Sequence, residues 1–252
     1  MAADRTSAGD PARTLHLLWR DPAAVPRRGP KQGLTVDAVV DAATALADAE
    51  GLDALTMRKV AQALGVVAMT LYTYVPGKAE LLDLMLDAAY TRMPRTSLAD
   101  LPWRDRLGAV AHDNRTLFET HPWAAGVSTT RPLLGPGQMA KYEHELTALD
   151  GLGLTDVEMD SSLTYLLAFV QAWARSAADA RAAEAESAMT DEQWWTANAP
   201  LLERVLDPAT YPLATRVGTA AGEAHGTAYD PDQAYAFGLE RVLDGLAVLV
   251  ER

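Results

Sequence analysis

Apolar residues recur along this chain at intervals of three and four, the period of one face of an α-helix. Val36, Val39, Val40, Ala43, Leu46 and Ala47 form one such stripe and predict a helix from about Val36 to Ala49. Thr35 is placed to cap it, Leu34 and Val39 to staple its start, and Gly51 to end it. After Thr56, a second possible cap, Val60, Ala61 and Leu64 share a face, and Gly65 stands where a left-handed C-cap belongs. Val66 can plug the angle to a further short helix from about Ala68 to Val75, with Leu71 and Val75 facing in. Pro76-Gly77 stops it. The next helix runs from Lys78 to about Met93, closed by Pro94.

The pattern continues downstream. Leu107, Val110, Ala111, Leu117 and Phe118 mark one face of a helix from about Trp103 to Thr120. Asn114 lies on that face and His121 extends it. A polar group on an apolar stripe is either paired internally or meets a ligand. His112 and Arg115 fall on the other, solvated face. Thr155-x-x-Glu158 is a capping box opening a helix to about Ala182. From Leu163 to Trp173 that helix is apolar nearly all round, which predicts burial on several sides. Its Tyr165, Phe169, Gln171 and Trp173 are candidates for ligand contact, although an aromatic stripe is more often simply core. Thr190-x-x-Gln193 is a second capping box, before Trp194 and Trp195, and Pro200 marks a kink or a new first turn. In the last helix Asp230 is the cap and Pro231 the first residue. Tyr235, Leu239, Val242, Leu243, Leu246, Leu249 and Val250 form its stripe. Gly238 and Gly245 lie seven apart on one side; a glycine inside a helix costs about 1 kcal/mol against alanine, which close approach of another helix can offset. The expected fold is all-α, a three-helix head with a larger helical body.

The stretch Leu55–Lys78 has the shape of a helix-turn-helix. Thr70, Tyr72, Thr73 and Tyr74 are left to face outward, and hydroxyls suit phosphate oxygens and base edges. Lys78 can reach a phosphate. The other reading of the same pattern is a plain helical hairpin with surface tyrosines.

Charge sharpens the division. Of the net −12, none arises in residues 1–95, which carry 11 Lys+Arg and 11 Asp+Glu; the acidic excess is all in 96–252. An acidic body turns a neutral head toward DNA and disfavours nonspecific binding. Arg58, Lys59 and Lys78 are the local cations. Residues 1–33 show no strong period and read as a flexible arm in which Arg27, Arg28 and Lys31 can enter a minor groove; the alternative is a solvated tail. Leu15, Leu17, Leu18 and Trp19 are apolar enough to pack somewhere. The chain has no cysteine, no apolar run approaching 18 residues and no signal-peptide core, so it is expected to be cytoplasmic, without disulfides or a membrane partner. There is no nucleophile motif, phosphate loop or metal-spaced His/Glu set, and its five histidines are scattered, so neither catalysis nor a cofactor or metal is expected.

The segments LTVDAVVDAATALADAEGLDALTMRKVAQALGV and TLYTYVPGKAELLDLML resemble the N-terminal domain of the tetracycline-repressor (TetR) family. The helix ending in Glu-Gly, the LT-x-R entry, the LGV-x-x-x-TLY-x-x-V-x-x-K core and the LL start of the fourth helix are all present. The resemblance implies a DNA-binding domain over 34–94 and a ligand-binding, dimer-forming domain over 95–252, behind the arm of 1–33. It implies DNA contacts from Thr56, Arg58, Met69, Thr70, Tyr72, Thr73, Tyr74 and Lys78. One departure stands at Val67-Ala68-Met69, where relatives often place a polar cap and a proline. The lost cap weakens the helix start by roughly 1 kcal/mol and offers apolar surface, for example to a thymine methyl.

The likeness of the body is weaker. Thr130-Arg131-Pro132 matches a tripeptide bordering the drug pocket of the tetracycline repressor, but the position of its magnesium-binding histidine is Val127 here, so magnesium and tetracycline are not expected. Candidate ligand contacts are Asn114, Phe118, His121, Trp123, Arg131, Tyr165, Phe169, Gln171 and Trp173. Candidate dimer contacts are Tyr235, Gly238, Leu239, Val242, Gly245, Leu246 and Leu249, with the stretch around 155–206 contributing. The implied function is a homodimeric regulator, a repressor released from a palindromic operator by a small molecule, with an uncharged or cationic aromatic compound suggested for that molecule. The alternatives are an enzyme using the body pocket, or a dimeric small-molecule-binding protein whose head no longer reads DNA.

Overall fold

A computed structural model describes residues 6–21, 34–129, 131–226 and 230–252. These form twelve α-helices and a 3-10 turn, with no strand among the described residues. α1 spans Pro11–Leu18, and the head follows as α2 (Val36–Glu50), α3 (Met57–Ala63) and α4 (Ala68–Tyr74). α5 (Lys78–Arg92) leads into the body, α6 (Trp103–Thr120), α7 (Pro122–Gly126), α8 (Pro136–Leu146), α9 (Asp156–Ser187), α10 (Asp191–Glu203), α11 (Pro212–His225) and α12 (Pro231–Val250).

The expected caps are made. Thr35, Thr56, Thr155, Thr190 and Asp230 each accept a backbone N–H from the first turn, and both capping boxes are complete. Gly65 has φ +65°, the left-handed turn that lets Val66 N–H reach Ala61 O at 3.0 Å. In the head Val39, Val40, Ala43, Leu55, Val60, Leu71 and Val75 are sealed from solvent.

α5 organises the molecule. It packs on α1, α2 and α8 at once, so nearly every position from Glu80 to Tyr90 is buried. Three of its buried side chains are carboxylates, each satisfied by the backbone of another segment. Glu80 accepts from Asp10 N–H at 3.4 Å and Asp83 from Ser7 N–H at 3.0 Å. Asp87 accepts from Gly137 and Gln138 N–H, at 3.2 and 2.9 Å, and so supplies the anion at the start of α8. A side chain at Gly137 would collide with the Asp87 carbonyl, 2.1 Å from a Cβ there.

Part of the stretch read as a flexible arm is a strap instead. Asp10 caps α1 with Pro11 in its first turn, the same signal that opens α12. Leu17 and Leu18 are buried with the core, and α1 lies on α5. Thr6 N–H donates to Ser128 O at 3.0 Å, Trp19 Nε1–H to Leu134 O at 2.7 Å, and Arg20 pairs with Asp37 of α2 at 2.7 Å. Residues 6–21 thus tie the loop before α8, the middle of α5 and the head together. Arg27, Arg28 and Lys31 lie outside the described residues.

Candidate DNA-reading face and effector-binding body

The face that could enter a groove begins at Arg58 and Lys59 on α3, both exposed. Lys59 is paired with Glu50 at 2.7 Å, which screens its charge. The Thr56 hydroxyl is engaged as the α3 cap, accepting from Lys59 N–H at 3.2 Å. On α4, Val67, Met69, Tyr72 and Thr73 are exposed and Thr70 is half-buried beside them. Val67 holds the N-cap position without any side-chain bond to the helix, as the missing polar cap predicted. Tyr74 turns partly back onto the hydrophobic core. Lys78 Nζ donates to Leu52 O at 3.3 Å, which holds it across the turn.

Six of the nine candidate ligand residues of the body fall into four places. Asn114 is buried, and its amide donates to Val110 O at 2.9 Å and Glu145 Oε1 at 2.6 Å. Glu145 pairs with Lys141 one turn away on α8 at 2.7 Å, and both are buried. Lys141 Nζ stands 5.3 Å from the ring centre of Tyr90 on α5. This charged network is not legible in the sequence, because a Lys–Glu pair at i, i+4 ordinarily marks a solvated face. Burial and the Glu145 charge push the Tyr90 phenol up, beyond its usual range.

The second place joins body to head. His121 Nδ1 lies 2.8 Å from Asp48 Oδ1 on α2, and Trp123 Nε1–H donates to the same oxygen at 2.7 Å. Both were expected to meet a ligand; in the structure they grip the head.

The third is an aromatic cluster between α6, α9 and α12. Phe169 stacks on Tyr235 with ring centres 5.7 Å apart, and Trp173 meets Tyr235 at 5.0 Å. Arg115, expected on a solvated face, lies over both Trp173 and Tyr235, at 4.5 and 4.7 Å from their ring centres. Pairing with Glu119 and Asp232, each at 2.7 Å, holds it there. Burial raises the Tyr235 phenol to about 12, and its oxygen is sealed without a hydrogen-bond partner among the described residues.

The fourth is the end of α7. Gln171 Nε2–H donates to Ala125 O and Val127 O at 3.3 and 3.2 Å, and Arg175 joins it on Ala125 O at 2.6 Å. Phe118 is buried in the core, whereas Arg131 and Tyr165 face outward.

The α12 stripe mostly packs inside its own chain. Tyr235, Val242 and Leu246 are buried with Leu243, and Leu239 and Leu249 are half-buried. Gly238 does serve close approach, but of this chain's α9: a Cβ there would stand 2.4 Å from the Phe169 ring. Gly245 faces open space. The exposed large apolar side chains of α12 are Phe237 and Val248, and those of α9 are Val157 and Tyr165. No helix among the described residues is long and apolar enough to cross a membrane, and none of their His, Asp and Glu side chains cluster as metal ligands.

Residues 39–85 match the family model of bacterial regulatory proteins of the tetR family, and residues 98–250 match the tetracyclin repressor-like C-terminal domain. The HTH-type transcriptional repressor DrrR1 of Streptomyces coeruleorubidus is 44% identical, covering 99% of this chain and 90% of its own. Among solved structures, the TetR family protein ActR of Streptomyces coelicolor, in complex with actinorhodin, is 28% identical with a TM-score of 0.72, covering 87% of this chain and 98% of that one. BioQ with its double-stranded DNA operator, 22% identical with a TM-score of 0.56 and covering 85% of this chain and 99% of that one, shares the fold. The three-helix head with its Gly65 turn, the α5 connection and the all-helical body therefore have one meaning: the chain belongs to the tetracycline-repressor family of DNA-binding transcriptional regulators, and is not an enzyme.

Proposed function

We propose that the chain is a homodimeric repressor that holds a palindromic operator and releases it when an aromatic small molecule binds within the body. Residues 34–94 form the DNA-binding head and 95–252 the effector-binding and dimer-forming body. The observation that carries this reading is α5, one unbroken helix whose first turn holds Lys78 against the head and whose last turns bury Tyr90 beside the Lys141–Glu145 pair. A shift of side chains in the body moves that helix, and α4 moves with it. The Asp48 contacts to His121 and Trp123 give a second connection.

The small size of α4 supports a dimer. One seven-residue helix reads only a few base pairs, and two-fold symmetry doubles that. The outward residues of α9 and α12 are suited to meet their symmetry mates in a four-helix interface. For the effector, the similarity to ActR, whose structure holds actinorhodin, and the aromatic cluster of Phe169, Trp173 and Tyr235 both favour a planar polycyclic compound. The ligand need only bind the two arrangements of the dimer unequally.

The test is fluorescence anisotropy of the full-length protein on DNA upstream of its own gene, then on duplexes selected from a random pool. Actinorhodin is titrated into the complex as a first aromatic probe, followed by other polycyclic aromatics. Tight, salt-sensitive binding that the probe reverses is expected. Failure to bind any selected duplex overturns the regulator reading, and binding that no aromatic compound reverses overturns the effector class.

A further inference from the structure

The side chains of α4 that reach furthest into solvent end in carbon. Val67 is 71% exposed and Met69 77%, and neither covers any part of the core. Met69, Tyr72 and Thr73 are spaced three and four apart, so they form one face, with Val67 at its leading edge. The Thr73 hydroxyl already donates to Thr70 O at 2.6 Å. The helix Ala68–Tyr74 holds no Asn, Gln, Arg, Lys, Asp or Glu. It therefore lacks every side chain that grips a base edge with two hydrogen bonds. Arg58, exposed on the neighbouring α3, is a side chain of that kind.

In the major groove a side chain ending in carbon finds one apolar complement, the C5 methyl of thymine. The first residues of a recognition helix are the ones that contact base edges. We propose that Val67 and Met69 are the specificity-determining residues of the head, and that they read thymine methyl groups under the start of α4. The half-site then carries thymines at those positions, and Arg58 supplies the polar contact beside them. The inference rests on the head binding duplex DNA, and it names what the head recognises there.

The test starts from the duplexes that the full-length protein selects. The selected operator is resynthesised with deoxyuridine in place of thymine, first throughout one half-site and then at single positions. This removes methyl groups and leaves every hydrogen-bonding edge intact. Affinity is expected to fall about fourfold for each contacted methyl, and roughly fifteenfold when a symmetric pair is removed. Met69→Ala and Val67→Ala should bind the thymine operator more weakly and lose no more on the deoxyuridine version. Met69→Gln should shift the preferred base at one position from thymine to adenine, because glutamine bridges the adenine edge. Both side chains are exposed, so the variants are expected to fold; unchanged helical circular dichroism and melting check this. Tight binding that is indifferent to deoxyuridine overturns this inference and leaves the regulator reading standing. Selection of no duplex at all overturns the regulator reading and this inference with it.

Discussion

Asp48, on the first helix of the head, accepts the indole N–H of Trp123 from the body at 2.7 Å. The same oxygen faces His121 at 2.8 Å. One carboxylate thus fixes the angle between head and body at a point far along the chain from α5.

Removing that carboxylate leaves the buried indole N–H without a partner. Asp48→Ala is expected to cost about 1–3 kcal/mol of stability, measured by urea unfolding. Asp48→Asn keeps an acceptor and should cost less. If the contact transmits the effector signal, Asp48→Ala retains operator binding while the ligand-induced fall in affinity shrinks. Equal melting of all three proteins would show that the contact contributes nothing.

The Lys141–Glu145 pair, sealed between α5, α6 and α8, gives a sharper contrast. Glu145→Ala strands a buried ammonium and the Asn114 amide, and is expected to cost about 3–5 kcal/mol. The double variant Lys141→Met, Glu145→Leu removes both charges at similar volume and should recover most of that loss. Chemical denaturation of the single and double variants distinguishes a network that stabilises from one that only has to be satisfied.

Asp83 carries a pH dependence with a definite sign. It is fully buried, and desolvation outweighs the Ser7 N–H, raising its carboxyl from 3.8 to about 6. The folded protein therefore holds this proton more tightly than the unfolded chain does. Its contribution favours folding below about pH 4 and is lost as pH rises to about 6, a difference on the order of 3 kcal/mol. Asp83→Asn keeps an acceptor for Ser7, removes the ionisation, and should raise stability at pH 7.5. Melting from pH 4 to 8 checks it: the variant should show a flatter profile between pH 4 and 6.

Gly238 and Gly245 should respond in opposite ways. Gly238→Ala drives a methyl into the Phe169 ring and is expected to destabilise the chain by about 1–3 kcal/mol. Gly245→Ala meets nothing within 4 Å and should stabilise the helix by about 0.5–1 kcal/mol. If Gly245 lies in the dimer interface, the same substitution weakens self-association. Analytical ultracentrifugation beside thermal melting separates the two effects.

The local elements and the family were written in the sequence. Thr35, Thr56, Thr155, Thr190 and Asp230 announce their helices because a cap satisfies N–H groups within its own first turn. The Gly65 turn is equally local, and so is the bareness of Val67 and Met69. The same signal was present at Asp10-Pro11 and was obscured by the arginine- and proline-rich residues around it. Tertiary structure alone decided the partners of charged and aromatic side chains. Asp83, Asp87, Lys141 and Glu145 look like solvent-facing residues in any helical pattern, because periodicity shows only that a helix has an apolar stripe. It cannot show that α5 is covered on three sides, so that its polar positions are buried as well. The α12 stripe was legible, yet whether it met α9 of its own chain or of a partner was not, since both offer the same apolar surface. Likewise Trp123 and His121 read as pocket residues until the fold brought Asp48 to them across more than seventy residues of chain.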